Sequence, residues 1–122
     1  MDYTRAWRWL AAAAEGHAEP LRDQFADRAA LDAWLTRWRE RLSRDGAPEA
    51  AAARMRRANP AVIPRNHLVE AALAAATEGD LQPFDALLAR LRYPWDEAAL
   101  ATPFGEPAPV EVTAGYRTFC GT

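Results

Sequence analysis

Residues 31–42 read LDAWLTRWRERL, and this stretch decides the fold class. Its apolar residues recur at intervals of three and four and so lie along one face of an α-helix: Leu31, Trp34, Leu35, Trp38 and Leu42. The charged residues between them suit the solvent side of an amphipathic helix. The pattern therefore predicts a helix that buries Trp34 and Trp38. Asp27 suits its N-cap, because a carboxylate there accepts a hydrogen bond from a first-turn N–H.

Four further segments predict helices, and glycine or proline separates them. They are residues 2–15, the run from Pro48 to the Asn59-Pro60 pair, residues 66–78, and the run that Asp80 caps and that ends near Arg92. The last two are joined by Gly79-Asp80 and are expected to form an antiparallel helical hairpin. The predicted fold class is all-α, with about five helices in a small orthogonal or antiparallel array.

The character of the chain changes after Arg92. Four prolines interrupt the remainder, and no helical period survives there: Pro94, Pro103, Pro107 and Pro109. We expect residues 1–92 to form the helical domain and residues 93–122 an irregular, Pro-rich tail, with a short extended piece at 110–113.

Size and composition exclude several classes of function. The chain has 122 residues, which fits one domain or part of one. Its net charge of −2 and pI near 5.7 give no electrostatic attraction to nucleic acid or acidic lipid. No apolar run approaches the roughly 20 residues that span a bilayer, and the N-terminus lacks the layout of a signal peptide. We therefore expect a cytoplasmic protein with neither nucleic acid nor membrane as a partner.

Few residues are candidates for chemistry. Cys120 is the one cysteine, so no disulfide can form within the chain. Two interpretations are open: its thiol is oxidised in the course of function, or Cys120 is a terminal cysteine without a role. His17 and His67 are the only histidines, and no ligand set with metal spacing surrounds them. We predict no metal site.

A basic cluster surrounds Asn59-Pro60 and could contact phosphate or an acidic partner, although a solvated helix end is the favoured interpretation: Arg54, Arg56, Arg57 and Arg65. The sequence has no glycine-rich phosphate loop, no kinase-type catalytic segment, and no nucleophile with a base beside it. We therefore predict no catalytic and no cofactor-binding residue in this chain.

An ordered set of motifs resembles the C-terminal region of the selenoprotein O (SelO/YdiU) family. In residues 54–80 the motif consists of Met55, Asn59-Pro60, Arg65-Asn66 and Gly79-Asp80. Residues 2–10, 32–42, 91–97 and 116–122 are similar to other family segments in the same order, and residues 98–115 match least. The resemblance covers essentially the whole chain.

This resemblance implies a protein adenylyltransferase with a kinase-like (pseudokinase) fold, which transfers AMP from ATP to protein hydroxyls (AMPylation) with Mg²⁺ or Mn²⁺. The family's nucleotide and metal residues lie upstream of the matched region. The chain would then be a structural or regulatory C-terminal subdomain, inactive alone, whose partner is the missing N-terminal kinase-like part and, through it, protein substrates. Cys120 stands where eukaryotic members carry selenocysteine, which implies a redox role with a cysteine of the missing part.

Two other functions stay open at this point. The chain could be a free-standing helical protein-binding module with a groove beside the Gly79-Asp80 hairpin. It could also be a small enzyme in its own right, which the lack of a base–nucleophile pair disfavours.

Overall fold

The computed structural model describes residues 1–114, and in that range the chain is entirely helical, without a β-strand. It contains one 3-10 helix at Glu97–Ala101 and seven α-helices: α1 (Tyr3–Ala14), α2 (Glu19–Arg22), α3 (Arg28–Leu42), α4 (Pro48–Ala58), α5 (Asn66–Thr77), α6 (Gln82–Leu91) and α7 (Val110–Ala114). The predicted all-α class is confirmed. Cys120 and the last family-like segment lie outside the described residues.

The predicted cap at Asp27 is confirmed, because its carboxylate accepts from Ala30 N at 2.9 Å and starts α3. Asp2, which was not predicted as a cap, accepts in the same way from Arg5 N at 2.8 Å and starts α1. Each bond satisfies an N–H that has no partner within the helix. Asp80 accepts from Gln82 N at 3.0 Å, although the N-cap position of α6 is Leu81. Gly79 has a φ of +90°, which favours glycine at the turn after α5.

Two local predictions need correction. A further short helix, α2, was not predicted, and Pro20 lies in its first turn, where proline needs no N–H partner. Residues 110–113 are helical rather than extended, because the Pro109 carbonyl accepts from Val112 N and Thr113 N. The 3-10 helix also lies in a stretch expected to be irregular.

The chain folds into two compact units that are each built from discontinuous segments. Of the described residues, unit 1 contains 1–61 and 95–97, and unit 2 contains 62–94 and 98–114. The boundary at residue 92 stays a prediction.

In unit 1, α1 packs against α2 and α4, and α3 contacts α4. One core cluster surrounds Leu35, which is 1% exposed, and a second is made by small residues of α1 and α4: Ala11, Ala14 and Ala52. Alanine at such positions lets two helix backbones approach closely. Arg39 of α3 donates from Nε and Nη2 to the Ala13 carbonyl near the end of α1, at 3.0 and 2.9 Å, which places a cation at the negative end of that helix.

In unit 2, α5 and α6 pack against each other around the buried residues Ala72 and Leu87. The Val62 N–H donates to the Pro94 carbonyl at 3.1 Å and ties the two ends of the hairpin segment together. Gly105 is buried, and a Cβ there would lie 2.6 Å from Leu100 Cα, so the backbone passes too close for any side chain.

Candidate docking groove and buried arginine network

Unit 1 carries an apolar groove of ≈ 490 Å³, which we call the aromatic groove. It lies between α1, the segment from α2 to α3, and the first part of α3. The residues that line it are Met1, Tyr3, Ala6, Trp7, Leu10, Leu21, Phe25, Asp27, Ala30, Leu31 and Trp34. Asp27 is the one carboxylate among them, and it is engaged in capping α3.

Aromatic side chains form much of the aromatic groove's wall. Tyr3 and Trp7 meet edge to face, with ring centroids 5.7 Å apart, and Trp34 stacks on Trp38 at 5.6 Å. Tyr3 is 74% exposed, Trp34 42% and Phe25 37%. Side chains of this kind release much free energy when a partner covers them.

The prediction that Trp34 is buried is therefore wrong, whereas Trp38 is partly buried and packs against both core clusters. The physical reason is the width of the apolar stripe on α3. Leu31 and Leu35 point into the core, so Trp34, at the edge of the stripe, is left at the surface. Periodicity identifies the apolar face of a helix but does not tell which part of a wide face a neighbouring element covers.

Arg8 is the centre of a buried ion network in unit 1. Its residue surface is 6% exposed, and Nη1 donates to the Arg56 and Asn59 carbonyls at 2.8 and 2.7 Å. Nη2 donates to the Glu97 carboxylate. Arg56 lies 3.1 Å from the same carboxylate through Nε, and it also binds Glu15 through both terminal nitrogens.

The network is electrically balanced, with two guanidinium groups and two carboxylates. The hydrogen bond from Arg56 lowers the pKa of the Glu15 carboxyl from its ordinary value of 4.5, and the same bond raises the pKa of Arg56. Both groups thus stay charged near neutral pH. Only Arg8 is buried, whereas the Glu15, Arg56 and Glu97 side chains are partly or largely exposed; mutual pairing of this kind holds helix ends together.

Sequence reasoning did not single out Arg8. Arg8 lies three residues before the buried Ala11, but Arg5 and Glu15 lie on the same side of the helix, so the local pattern does not mark Arg8 as buried. Its partners are far along the chain.

The structure separates the members of the predicted basic cluster. Arg54 and Arg57 are exposed, as the solvated-helix interpretation expects, whereas Arg56 is held by carboxylates. Arg65 belongs to unit 2, is 9% exposed and donates to the Gly105 carbonyl at 3.2 Å. The solvated interpretation is therefore wrong for Arg65, whose role in unit 2 is to hold the loop that carries Gly105.

The two histidines lie apart. His17 is exposed in unit 1, whereas His67 on α5 is partly buried and lines, together with Arg65, a cavity of ≈ 360 Å³ in unit 2. Within residues 1–114, no group of three His, Cys, Asp or Glu is arranged to hold a metal ion. None of the helices in that range has the length and apolar character needed to cross a membrane.

The hairpin of unit 2 carries a smaller apolar groove of ≈ 160 Å³, lined by Val69, Ala72, Leu73, Phe84, Leu87, Leu88 and Leu91. Leu87 is buried, whereas Phe84 is 43% exposed. The aromatic groove of unit 1 thus offers a partner far more apolar volume than the hairpin does.

Comparison with known proteins identifies the relatives of this chain. It is 49% identical over 122 residues to a protein nucleotidyltransferase YdiU of Mycobacterium sp. (strain KMS), and 53% identical over 123 residues to one of Cereibacter sphaeroides (strain KD131). The two alignments include 100% and 99% of this chain, but only 24% of the length of each relative. A YdiU protein of Chromobacterium violaceum is 48% identical over 124 residues, which is 26% of its length. The chain is homologous to one quarter of the YdiU nucleotidyltransferases. The predicted resemblance is confirmed.

The matched part is the C-terminal quarter of the YdiU relatives. It includes both units, so the aromatic groove and the Arg8 network lie within the homologous region. No protein-family model matches the chain, and no solved structure matches it significantly.

Proposed function

We propose that the chain is the non-catalytic C-terminal part of a YdiU-type protein nucleotidyltransferase. The complete enzyme would transfer AMP from ATP to protein hydroxyls, with Mg²⁺ or Mn²⁺ bound by a kinase-like catalytic part upstream of this region. The observation that carries the proposal is the identity of about 50% over the whole chain to only a quarter of each relative. Because ATP is the proposed donor, we place the activity in the cytoplasm.

The chemistry of the described residues supports a structural role. Several carboxylates are engaged in helix caps, as in Asp2 and Asp27, or in ion pairs, as in Glu15 and Glu97. Phosphoryl and nucleotidyl transfer need carboxylates that hold metal ions and cations that hold phosphates. We therefore assign nucleotide and metal binding to the upstream part and assign this chain the task of buttressing it.

Cys120 is proposed as a redox-sensitive position of the complete enzyme. Its thiol and a thiol of the upstream part would form one S–S bond and give up two protons and two electrons to a thiol oxidant such as glutathione disulfide. Alkylation of the complete enzyme before and after oxidation, with Cys120→Ser as the comparison, tests this role.

The test of the proposed function is AMP transfer from ATP labelled on its α-phosphate, with Mg²⁺ or Mn²⁺ and a generic acceptor protein. Three samples are compared: this chain alone, the upstream part of the Chromobacterium violaceum relative alone, and a chimera that joins the two. We expect transfer by the chimera and none by this chain. Transfer at multiple turnovers by this chain alone would mean that it holds a nucleotide site, and the proposal would be wrong.

A second candidate is a free-standing helical module that binds other proteins, and the aromatic groove is the observation that favours it. The chimera distinguishes the two, because a free-standing module would neither restore AMP transfer nor associate with the upstream part of a relative.

A further inference from the structure

We propose that the aromatic groove of unit 1 is the surface that the upstream catalytic part of the enzyme covers. This inference rests on the proposed function, since it needs that part to exist as a separate folded body. It adds the location of the interface and the residues that would carry its binding energy.

The first argument is the nature of the exposed surface. Phe25 and Trp34 are 37% and 42% exposed beside a groove of ≈ 490 Å³ whose lining is almost entirely apolar. Large contiguous apolar surfaces are rare on monomeric proteins, and they mark surfaces that a partner covers. Aromatic side chains beside a pocket are the usual source of the binding energy at such interfaces.

The second argument is the position of the groove along the chain. Met1 is one of the lining residues. In the relatives the matched region is 24% of the length and C-terminal, so roughly three quarters of the polypeptide precedes the residue that aligns with Met1. A chain that continues upstream of this point leaves unit 1 at the edge of the groove. The upstream body is then tethered within a few residues of it, at a high effective concentration.

The third argument is the charge of the groove. Among the described residues that line it, Asp27 is the one carboxylate and caps α3, and none is Lys or Arg. Electrostatics therefore gives no reason for phosphate, nucleic acid or an acidic peptide to bind there. The occupant that fits is an apolar surface, such as leucine and phenylalanine side chains of the upstream body.

Thiol labelling tests the location directly. In a Cys120→Ser background, Ala30→Cys places a thiol in the aromatic groove, and Ser43→Cys places a control thiol at the other end of α3, where the surface is also exposed. The rate of reaction with a maleimide is measured in the isolated chain and in the same chimera with the upstream part of the Chromobacterium violaceum relative. We expect the chimera to slow labelling of the Ala30→Cys variant by about tenfold or more and to leave the Ser43→Cys variant unchanged. Equal rates at Ala30→Cys in the two proteins would overturn the proposal.

The isolated chain supplies a further arm of the same experiment. If labelling of the Ala30→Cys variant slows as the concentration of the isolated chain rises, while the chimera labels fast, then a second copy of the chain is the occupant and the proposal is wrong. Concentration-independent labelling of the isolated chain, together with protection in the chimera, supports the upstream body.

A binding measurement separates failure of this inference from failure of the proposed function. The chain is titrated into the separately produced upstream part as the unmodified protein, as Trp34→Glu, and as Leu81→Glu, a matched control at an apolar position 57% exposed in unit 2. We expect Trp34→Glu to weaken binding at least about 50-fold and Leu81→Glu to leave it unchanged. If Trp34→Glu binds as tightly as the unmodified chain, the groove is not the interface although the proposed function stands. A chimera that neither transfers AMP nor slows labelling of the Ala30→Cys thiol contradicts both the proposed function and this location of the interface.

Discussion

Arg8 on α1 donates to the carboxylate of Glu97, a residue 89 positions further along the chain. The arginine side chain is 5% exposed and the glutamate side chain 54%. The same guanidinium group also holds two main-chain carbonyls near the end of α4. One buried cation thus connects the first helix of unit 1 to the last segment that joins this unit.

The first prediction concerns Arg8 itself. Arg8→Leu removes three hydrogen bonds and leaves the Arg56 and Asn59 carbonyls without this donor. We expect the free energy of unfolding to fall by about 2–4 kcal/mol, measured by urea denaturation. Arg37→Leu is the control, because Arg37 is exposed on α3, and it should change stability by less than about 0.5 kcal/mol. Similar stabilities for the two variants would contradict the assigned role of Arg8.

The second prediction concerns pH. The Arg56 hydrogen bond lowers the pKa of Glu15 in the folded state, so Glu15 binds a proton less readily when folded than when unfolded. The stability that it contributes is therefore fully present above its ordinary pKa of 4.5 and is lost as the pH falls through the lower folded-state value. Glu15→Gln should lower stability by about 1 kcal/mol at pH 7, given the partial exposure of the pair.

The difference between Glu15→Gln and the unmodified chain should shrink as the pH falls below 4.5. Thermal unfolding between pH 3 and pH 7 measures it, and Glu40→Gln on the exposed side of α3 is the control. A difference that stays constant over this range would show that ionisation of Glu15 does not matter to the fold.

The third prediction concerns Gly105 in unit 2. A Cβ at this position would lie 2.6, 2.7 and 2.8 Å from backbone atoms of Leu100 and Ala99. Gly105→Ala must therefore displace the main chain, and we expect a loss of about 2 kcal/mol or more in the free energy of unfolding. Gly46→Ala is an informative comparison, because its Cβ would meet nothing within 4 Å and its cost of about 1 kcal/mol would come from the positive φ alone. An equal or smaller loss at Gly105 would contradict the close approach.

The fourth prediction concerns the core of unit 1. Leu35 is 1% exposed, so Leu35→Ala leaves a cavity and should cost about 2–5 kcal/mol. Trp34→Ala, one residue earlier, removes a larger side chain but one that is 42% exposed, and we expect a smaller loss than at Leu35. Chemical denaturation of the two variants measures the difference. A larger loss at Trp34 would mean that its ring is buried in solution.

Much of the helical framework could be predicted from sequence, because the determinants are local. The Asp2 and Asp27 caps lie within three residues of the N–H groups that they satisfy, and the apolar periodicity of α3 spans its whole length. Helix α7 was missed because its Val-Glu-Val-Thr sequence has the alternation and β-branching of a strand, while the carbonyl of Pro109 starts a helical turn.

The site was harder to predict because its determinants are tertiary. No local pattern pairs Arg8 with Glu97, and none tells that Arg56 is neutralised while Arg57, its neighbour, is exposed. The aromatic groove depends on which residues of a wide apolar face are left uncovered, as at Trp34. Family motifs pointed to the correct relatives, but they are carried by short segments and do not describe a surface.

The discontinuous composition of unit 1 has a consequence for biosynthesis. A ribosome that has completed α1 to α4 has made every α-helix of this unit but not the carboxylate that pairs with Arg8, since residues 95–97 come after the hairpin of unit 2. Domains generally fold as units while the chain emerges, N-terminal part first. Until Glu97 has been synthesised, Arg8 can bond only to the Arg56 and Asn59 carbonyls, so the ion network of unit 1 is completed only after the hairpin of unit 2 has been made.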